Sequence, residues 1–483
     1  MKHQKRTKIV CTIGPASSSP QIIEKLIKAG MDAARVNFSH GTRESNGALI
    51  KTVRAAADKL EIPVALIADL QGPRVRIGEM PEKGAALKKG EIVVLGIAKE
   101  KYENGVIPVT CKGWADALKK GQRILLDDGK MELLVKKING LTVEAEVRIG
   151  GVLLSRKGIN LPDSTVSISA LTKKDKNDLK FILKNSVDFV ALSFVKSAKD
   201  ILDLRHLIKS LSGEKKKASE EDDKIRIIAK IEKHEAIKNI DEIIAAADGI
   251  MVARGDLGLE MPAEEVPLWQ KKIISKCLMA AKPVIVATQM LESMTHNPRP
   301  TRAEVSDVAN AVIDHTDAVM LSGETASGEY PVEAVETMSR VIVKIEASVF
   351  DDLAERDFFS SNLETDAVVS GLSRLLAEQV KAKAILGASL SGETGRQISR
   401  FRPEIAIFIA TSTERVRRQL NLSWGVRAFT LLPCKIVEEL IEKSVAHLRE
   451  KKLLKPADKI IIVAGEPVGR AGNVNLVEVK EVV

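Results

Sequence analysis

Between residues 8 and 323 one phrase recurs eight times: an apolar strand-like run, a polar turn and, in most units, an amphipathic helix. The runs are KIVCTIG (8–14), AARVNF (33–38), VALIADL (64–70), VDFVALSF (187–194), IRIIAKIE (225–232), GIMVAR (249–254), PVIVATQ (283–289) and AVMLSG (318–323). Continuous Val/Ile/Ala runs suit strands buried on both faces. Eight β-then-α units predict a closed (β/α)8 TIM barrel, with an open doubly wound sheet as the competing arrangement. The first helix carries its own punctuation: Ser19 as N-cap, Pro20 at the first helical position, an apolar stripe of Ile22, Ile23, Leu26 and Ile27, and Gly30 as the stop.

The repeat is interrupted. From about 71 to 168 short strand-like pieces (EIVVLGI, GQRILLDDGK, LTVEAEVRIGG) are separated by Gly and charged turns, with little helical period. They predict a small β-barrel lid domain inserted into a βα loop, where insertions are tolerated. After 351 a linker, DDLAERDFFSSNLETD, leads into a helix and then into AKAILGASL, IAIFIATS, VRAFTLL, DKIIIVAG and VNLVEVKEV, a separate open α/β domain. The expected division is therefore barrel over 1–70 and 169–350, lid over 71–168, and a C-terminal α/β regulatory domain over 351–483. The run GEKKKASEEDDK (213–224) reads as a solvated loop.

Composition excludes several classes. Hydrophobic residues make up 45% and charged residues 29%, as in soluble globular proteins, and no apolar run approaches the ~20 residues that span a bilayer. Only a short apolar stretch follows the basic N-terminus, which does not suit a signal peptide. Cys11, Cys111, Cys277 and Cys434 are scattered without a CxxC pair, reading as thiols in a reducing, cytoplasmic setting. The net charge of +9 suits anionic small molecules or nucleic acid, but aromatics at 3% argue against a single-strand stacking platform.

In such a barrel, functional groups belong at the C-terminal ends of strands. These ends carry Arg35, Asn37 and Ser39, then Asp69, then Lys230 and Glu232, then Arg254 and Asp256, then Thr288 and Gln289, then Ser322 and Glu324. Spacing of two puts Arg35 with Asn37, Lys230 with Glu232 and Ser322 with Glu324 on one side of their strands. Glu232 and Asp256 are hard oxygen ligands of the kind that hold Mg2+ with phosphate oxygens and water. Lys230 and Arg35 can neutralise a phosphoryl group in transfer. No Walker motif or kinase-type glycine loop occurs, so phosphates must be held by strand-end side chains. No Cys or His takes part in a nucleophile–base arrangement there.

CTIGPAS (11–17), ARVNFSHG (34–41), AKIEKHEA (229–236), MVARGDLGLEMP (251–262), ATQMLESM (287–294) and NPRPTRAEVSDVANAVIDHTDAVMLSGETASGEYP (297–331) together resemble the pyruvate kinase family, in the family's order. The resemblance runs from about residue 7 to the C-terminus and includes the insertion. It implies phosphoryl transfer from phosphoenolpyruvate to ADP, giving pyruvate and ATP. By matched position it implies that Lys230 stabilises the transferring group with Arg35, and that Glu232 and Asp256 hold Mg2+, with Mn2+ as the alternative ion. Backbone N–H groups of Gly255 and Asp256 would receive the substrate carboxylate. Thr288 would belong to the relay that protonates the enolate, extended by Ser322 and Glu324. Thr12, Pro15, Asn37, His40, Arg76 and Lys157 fall where the family contacts nucleotide and phosphates. The resemblance also implies a lid that closes over the site, a cytoplasmic homotetramer, a phosphorylated effector, and neither nucleic acid nor membrane as partner.

Two positions depart from the family's commonest form. Asp-Thr-Lys-Gly-Pro-Glu is replaced by Asp69, Leu70, Gln71, Gly72, Pro73 and Arg74. The common form binds potassium through the equivalents of Asn37, Ser39, Asp69 and the residue at 70; a minority branch with Lys at 74 works without it. Arg74 is therefore expected to substitute for the monovalent cation, so that K+ is not required. In SLSGETGRQISRFRP (389–403), Ser391, Gly392, Thr394 and Gly395 match the family's effector turn, but Glu393 sits inside it and leaves the effector's identity open. The competing functions are a metal-dependent lyase or aldolase of the phosphoenolpyruvate/pyruvate barrel group, and a non-catalytic basic binding protein.

Overall fold

A computed structural model describes residues 5–96, 101–111, 113–164, 169–212, 224–354, 364–432, 434, 436–465 and 474–483. The eight runs form strands Lys8–Ile13, Ala33–Asn37, Ala65–Asp69, Phe189–Leu192, Arg226–Ile231, Gly249–Ala253, Val284–Ala287 and Ala318–Leu321. All neighbours are parallel, and the first strand pairs with both the second (Cys11 opposite Ala34) and the eighth (Cys11 opposite Leu321). That last pairing closes the sheet and decides against an open one. Inward residues interleave large and small: Val10, Ile67, Phe189, Ile228, Met251, Ile285 and Met320 pack with Ala33, Ala65, Ala191 and Ala318, filling the interior.

Outward residues pack against the helices in one continuous core. Helix Pro20–Ala29 shows why. The Ser19 hydroxyl accepts from the N–H of Ile22, Gly30 takes φ +125 to end the helix, and Ile23, Leu26 and Ile27 are buried. Each of those side chains removed from water contributes about 1.5–3 kcal/mol.

The lower rim of the barrel has its own repeat. Asp32, Asp188, Asp248 and Asp317 immediately precede the second, fourth, sixth and eighth strands. Each carboxylate accepts a backbone N–H from the strand before it: Ile9 at 2.7 Å, Leu66 at 2.8 Å, Ile227 at 2.8 Å and Val284 at 3.1 Å. A buried donor at a strand start is thus paired four times by the same device.

The chain leaves the third strand through Gly72, whose φ of +67 and close approach to Ser193 and Phe194 leave no room for a Cβ. The inserted domain is a six-stranded sheet, ordered Ile159–Asn160, Arg123–Leu126, Met131–Asn139, Thr142–Ile149, Ile92–Gly96, Val106–Pro108, with a two-stranded sheet beside it. Segment 75–78 bonds to both edges: the N–H of Ile77 donates to Lys157 O at 2.8 Å and that of Gly78 to Pro108 O at 2.9 Å. The sheet therefore curls shut around Trp114, Leu126, Leu133 and Val143.

The C-terminal domain is an open five-stranded sheet, ordered Val426–Thr430, Ala406–Thr411, Ala384–Ala388, Lys459–Ala464, Leu476–Glu481, with only the last strand antiparallel. It docks on the barrel's lower rim: Arg418 pairs with Asp188 at 2.9 Å, Arg402 with Asp317 at 3.3 Å, and Asn421 donates to Asp32 O at 2.9 Å. Most of the expected linker (355–363) and of the charged run (213–223) lies outside the described residues. No helix among the described residues is long and apolar enough to cross a membrane.

Candidate active site

At the upper rim, across the end of the fourth strand that lies between the third and fifth, polar residues at the ends of the second, third and fifth strands converge on Asp69. Its Oδ2 accepts from Arg35 Nε at 2.7 Å and lies 3.4 Å from Lys230 Nζ. Lys230 also reaches Glu232 Oε1 at 2.8 Å and donates to Ser193 Oγ at 2.8 Å. Arg35 donates from Nη1 to Thr12 Oγ1 at 2.9 Å. Two cations from different strands thus share one buried carboxylate oxygen, which holds them close together.

Charge in this cluster is fixed by its neighbours. Burial opposes ionisation of Lys230, but Asp69 and Glu232 outweigh it and raise the ammonium pKa above its ordinary value. Burial likewise pushes Asp69 up, and Lys230 and Arg35 more than reverse this, leaving it below the usual carboxylate value. Glu232 goes the other way: burial and the charge of Asp256 raise it against the pull of Lys230. A buried carboxylate and a half-buried one close enough to act on its charge, both hard oxygen donors, form a site that a divalent cation fits. Glu232 Oε2 is already oriented by the N–H of Phe194 at 2.6 Å.

Three residues at the strand ends hold strained backbone. Phe194 (φ +56), Thr288 (φ +69) and Gln289 (φ +55) occupy the left-handed region, which a β-branched residue rarely adopts. The fold keeps Thr288 there from several sides. Its Oγ1 accepts the N–H of Gly255 at 2.8 Å and donates to Ala287 O at 2.6 Å. Arg254, paired with Asp307 at 2.7 Å, donates to Thr288 O at 2.8 Å and Gln289 O at 3.2 Å. Asp256 follows in the first turn of helix Arg254–Glu260. Ser322 Oγ is buried without a hydrogen-bond partner, while Glu324 Oε2 accepts the N–H of Ser322 at 2.7 Å and Oε1 that of Leu291 at 3.0 Å. Burial raises the pKa of Glu324.

His40 lies within the influence of four cations. Burial and the charges of Arg76, Arg35, Arg74 and Lys174 lower its pKa. Asn37 Oδ1 accepts the N–H of Ser39 at 3.0 Å, and Pro15 opens an exposed short 3-10 turn just past the first strand. Lys157 pairs with Asp127 at 2.9 Å, and Arg76 donates to Arg156 O at 3.2 Å. Arg74 is not brought to Asn37, Ser39 and Asp69. Its Nη2 pairs with Asp128 at 2.8 Å, and the Leu70 carbonyl accepts from Ser193 Oγ at 2.8 Å. The hairpin carrying Asp127 and Asp128 rests on the barrel, where a Cβ on Gly129 would meet Leu259 at 2.9 Å.

Sequence reasoning did not include Ser193, Phe194, Asp127 and Asp128 in the site. Ser193 ends a strand-like run and was readable by the same strand-end rule. The two acids lie in LLDDGK, a turn signal with no mark of its distant partners. In the C-terminal domain, Gly392 (φ +80) caps helix Glu393–Ser399, and the Ser391 carbonyl accepts from Arg226 Nη2 at 2.5 Å. Glu393 is paired with Arg396 at 2.5 Å; burial raises its pKa but Arg396 reverses the shift and holds it low.

The family description "Pyruvate kinase, barrel domain" matches residues 4–335, and "Pyruvate kinase, alpha/beta domain" matches residues 367–480. The pyruvate kinase of Geobacillus stearothermophilus is 43% identical over 480 residues, covering 99% of this chain and 80% of that protein. That of Sporosarcina psychrophila is 40% identical over 478 residues (98% and 80%), and pyruvate kinase 2 of Synechocystis sp. is 41% identical over 482 (99% and 79%). Neither a lyase nor a binding protein is favoured by these matches. With the strand-end cations and carboxylates on a closed barrel and both domains matched, the chain belongs to the pyruvate kinase family.

Proposed function

We propose that this phosphotransferase of the pyruvate kinase family transfers the phosphoryl group of phosphoenolpyruvate to ADP at the upper rim of the barrel. The observation that carries the reading is the sharing of Asp69 by Arg35 and Lys230 beside Glu232. Lys230, kept protonated by its two carboxylate neighbours, meets the equatorial oxygens of the group in transfer, and Arg35 adds a second fixed charge. The family uses a divalent metal; Glu232 and Asp256 would hold Mg2+, or Mn2+, which supplies positive charge to the phosphoryl oxygens and the substrate carboxylate. The N–H groups of Gly255 and Asp256 receive that carboxylate. In doing so Gly255 gives up Thr288 Oγ1, which becomes free to hold the water that protonates the enolate, with Ser322 Oγ and Glu324 behind it. Thr12, Pro15, Asn37, His40, Arg76 and Lys157 face the nucleotide.

The same reading extends to three finer points. Arg74 replaces the monovalent cation by exchanging Asp128 for the ligand-bound site, so that K+ is not needed. The turn 391–395 takes a phosphorylated metabolite, displacing Glu393 from Arg396, and Arg226 connects that turn to the strand bearing Lys230. Homotetrameric assembly follows from the family resemblance, and the free thiols suit a cytoplasmic location. A lactate-dehydrogenase-coupled assay tests the core of the proposal. Pyruvate should form only with phosphoenolpyruvate, ADP and a divalent cation together, and Glu232→Gln should weaken the response to the cation. Pyruvate formation that ignores ADP would refute it.

A further inference from the structure

We propose a second metal site, of the zinc type, formed by His234, Glu235 and Glu260 beside the catalytic centre but sharing no ligand with it. His234 and Glu235 open helix His234–Lys238, two and three residues past Glu232, and Glu260 ends helix Arg254–Glu260. His234 Nδ1, Glu235 Oε2 and Glu260 Oε2 are all buried, and none has a hydrogen-bond partner. Single atoms of this kind occur elsewhere in the protein, but three meeting at one point need a common explanation. The ligand atoms of the three residues lie within 4.8 Å of one another.

The geometry suits a small tetrahedral ion. Bonds of about 2.0–2.1 Å place neighbouring donors roughly 3.3 Å apart. His234 Nδ1 and Glu235 Oε2 stand 3.2 Å apart without being hydrogen-bonded. The Glu260 side chain, only 1% exposed, has its other oxygen fixed by Lys233 Nζ at 2.7 Å and Asn160 Nδ2 at 3.3 Å. These two contacts orient the carboxylate and leave Oε2 to face the other pair, as outer partners of a metal ligand do. One imidazole nitrogen with two carboxylate oxygens favours Zn2+ over Mg2+ or Ca2+, which prefer oxygen alone, and leaves a position for water. Because Asn160 belongs to the inserted domain, an ion here ties that domain to the barrel rim.

Metal content of the whole protein tests the site independently of catalysis. Chelator-stripped protein dialysed against Zn2+ with saturating Mg2+ should retain one Zn2+ per chain. His234→Ala and Glu260→Gln should retain none, whereas Glu232→Gln should keep it. X-ray absorption on the zinc-loaded wild type should show one imidazole nitrogen among oxygen ligands. Wild type that retains no Zn2+ against Mg2+, an all-oxygen shell, or zinc lost with Glu232→Gln but kept in His234→Ala would each overturn the proposal.

Discussion

Thr288→Ala separates chemistry from stability at the strained end of the seventh strand. The left-handed backbone at Thr288 and Gln289 costs on the order of 1–3 kcal/mol per residue, and more for a β-branched side chain. Alanine removes two hydrogen bonds, to the N–H of Gly255 and from Oγ1 to Ala287 O, each worth about 1 kcal/mol. It also removes the branch that makes φ +69 costly, while the Arg254 clamp on the carbonyls of 288 and 289 remains. These opposing effects leave a net change in folding stability of about 1 kcal/mol or less. Turnover has no such compensation. Losing a group that positions the proton donor costs about 10²–10⁴-fold. The assay is the exchange of solvent tritium into pyruvate with ATP and Mg2+ present, read beside kcat and the thermal midpoint. Exchange should collapse in Thr288→Ala and largely return in Thr288→Ser, with midpoints near wild type. Wild-type exchange in the alanine variant would remove Thr288 from the relay.

Other consequences follow from the same contacts. Lys230→Met leaves Asp69 paired with Arg35, so the protein should fold and bind phosphoenolpyruvate while kcat falls by about 10³–10⁵-fold; titration calorimetry and turnover check both halves, and near-normal turnover rejects the role. With Arg74 as the fixed cation, activity should be full in sodium or tetramethylammonium, and Arg74→Glu should lose most of it and regain part with potassium; a wild type silent without potassium contradicts this. Glu393→Gln frees Arg396 and should tighten the concentration dependence of any activating sugar phosphate or nucleotide by about tenfold, a loss of roughly 1.4 kcal/mol of competing ion pair. If phosphorylated metabolites leave the kinetics of both wild type and variant unchanged, the turn is not a regulatory seat.

The barrel was legible because its strands are buried on both faces and repeat: each expected run contains an observed strand, shorter by one to four residues. The residues trimmed from those runs include the interesting ones. Ser193, Phe194, Glu232, Arg254, Thr288 and Ser322 lie just past the last paired residue, where hydrogen bonding to neighbours stops and side chains are released toward the rim. Period-2 reasoning placed Lys230 and Glu232 together, and their 2.8 Å contact agrees with it. What one dimension does not carry is the pairing of residues far apart in the chain: Arg74 with Asp128, Lys157 with Asp127, Arg226 with Ser391. Nor does propensity anticipate a threonine at φ +69, because the chain strains there against its local preference and only tertiary contacts keep it so.

Phosphorus-31 spectra of the purified protein with phosphoenolpyruvate, ADP and Mg2+, followed in time for wild type and Lys230→Met, test the central claim most directly. The phosphoenolpyruvate signal should fall in step with growth of the β-phosphate signal of ATP in the wild type, with no inorganic phosphate, and the variant should show almost no change. Release of inorganic phosphate without ATP, or equal ATP formation by the variant, would contradict the account.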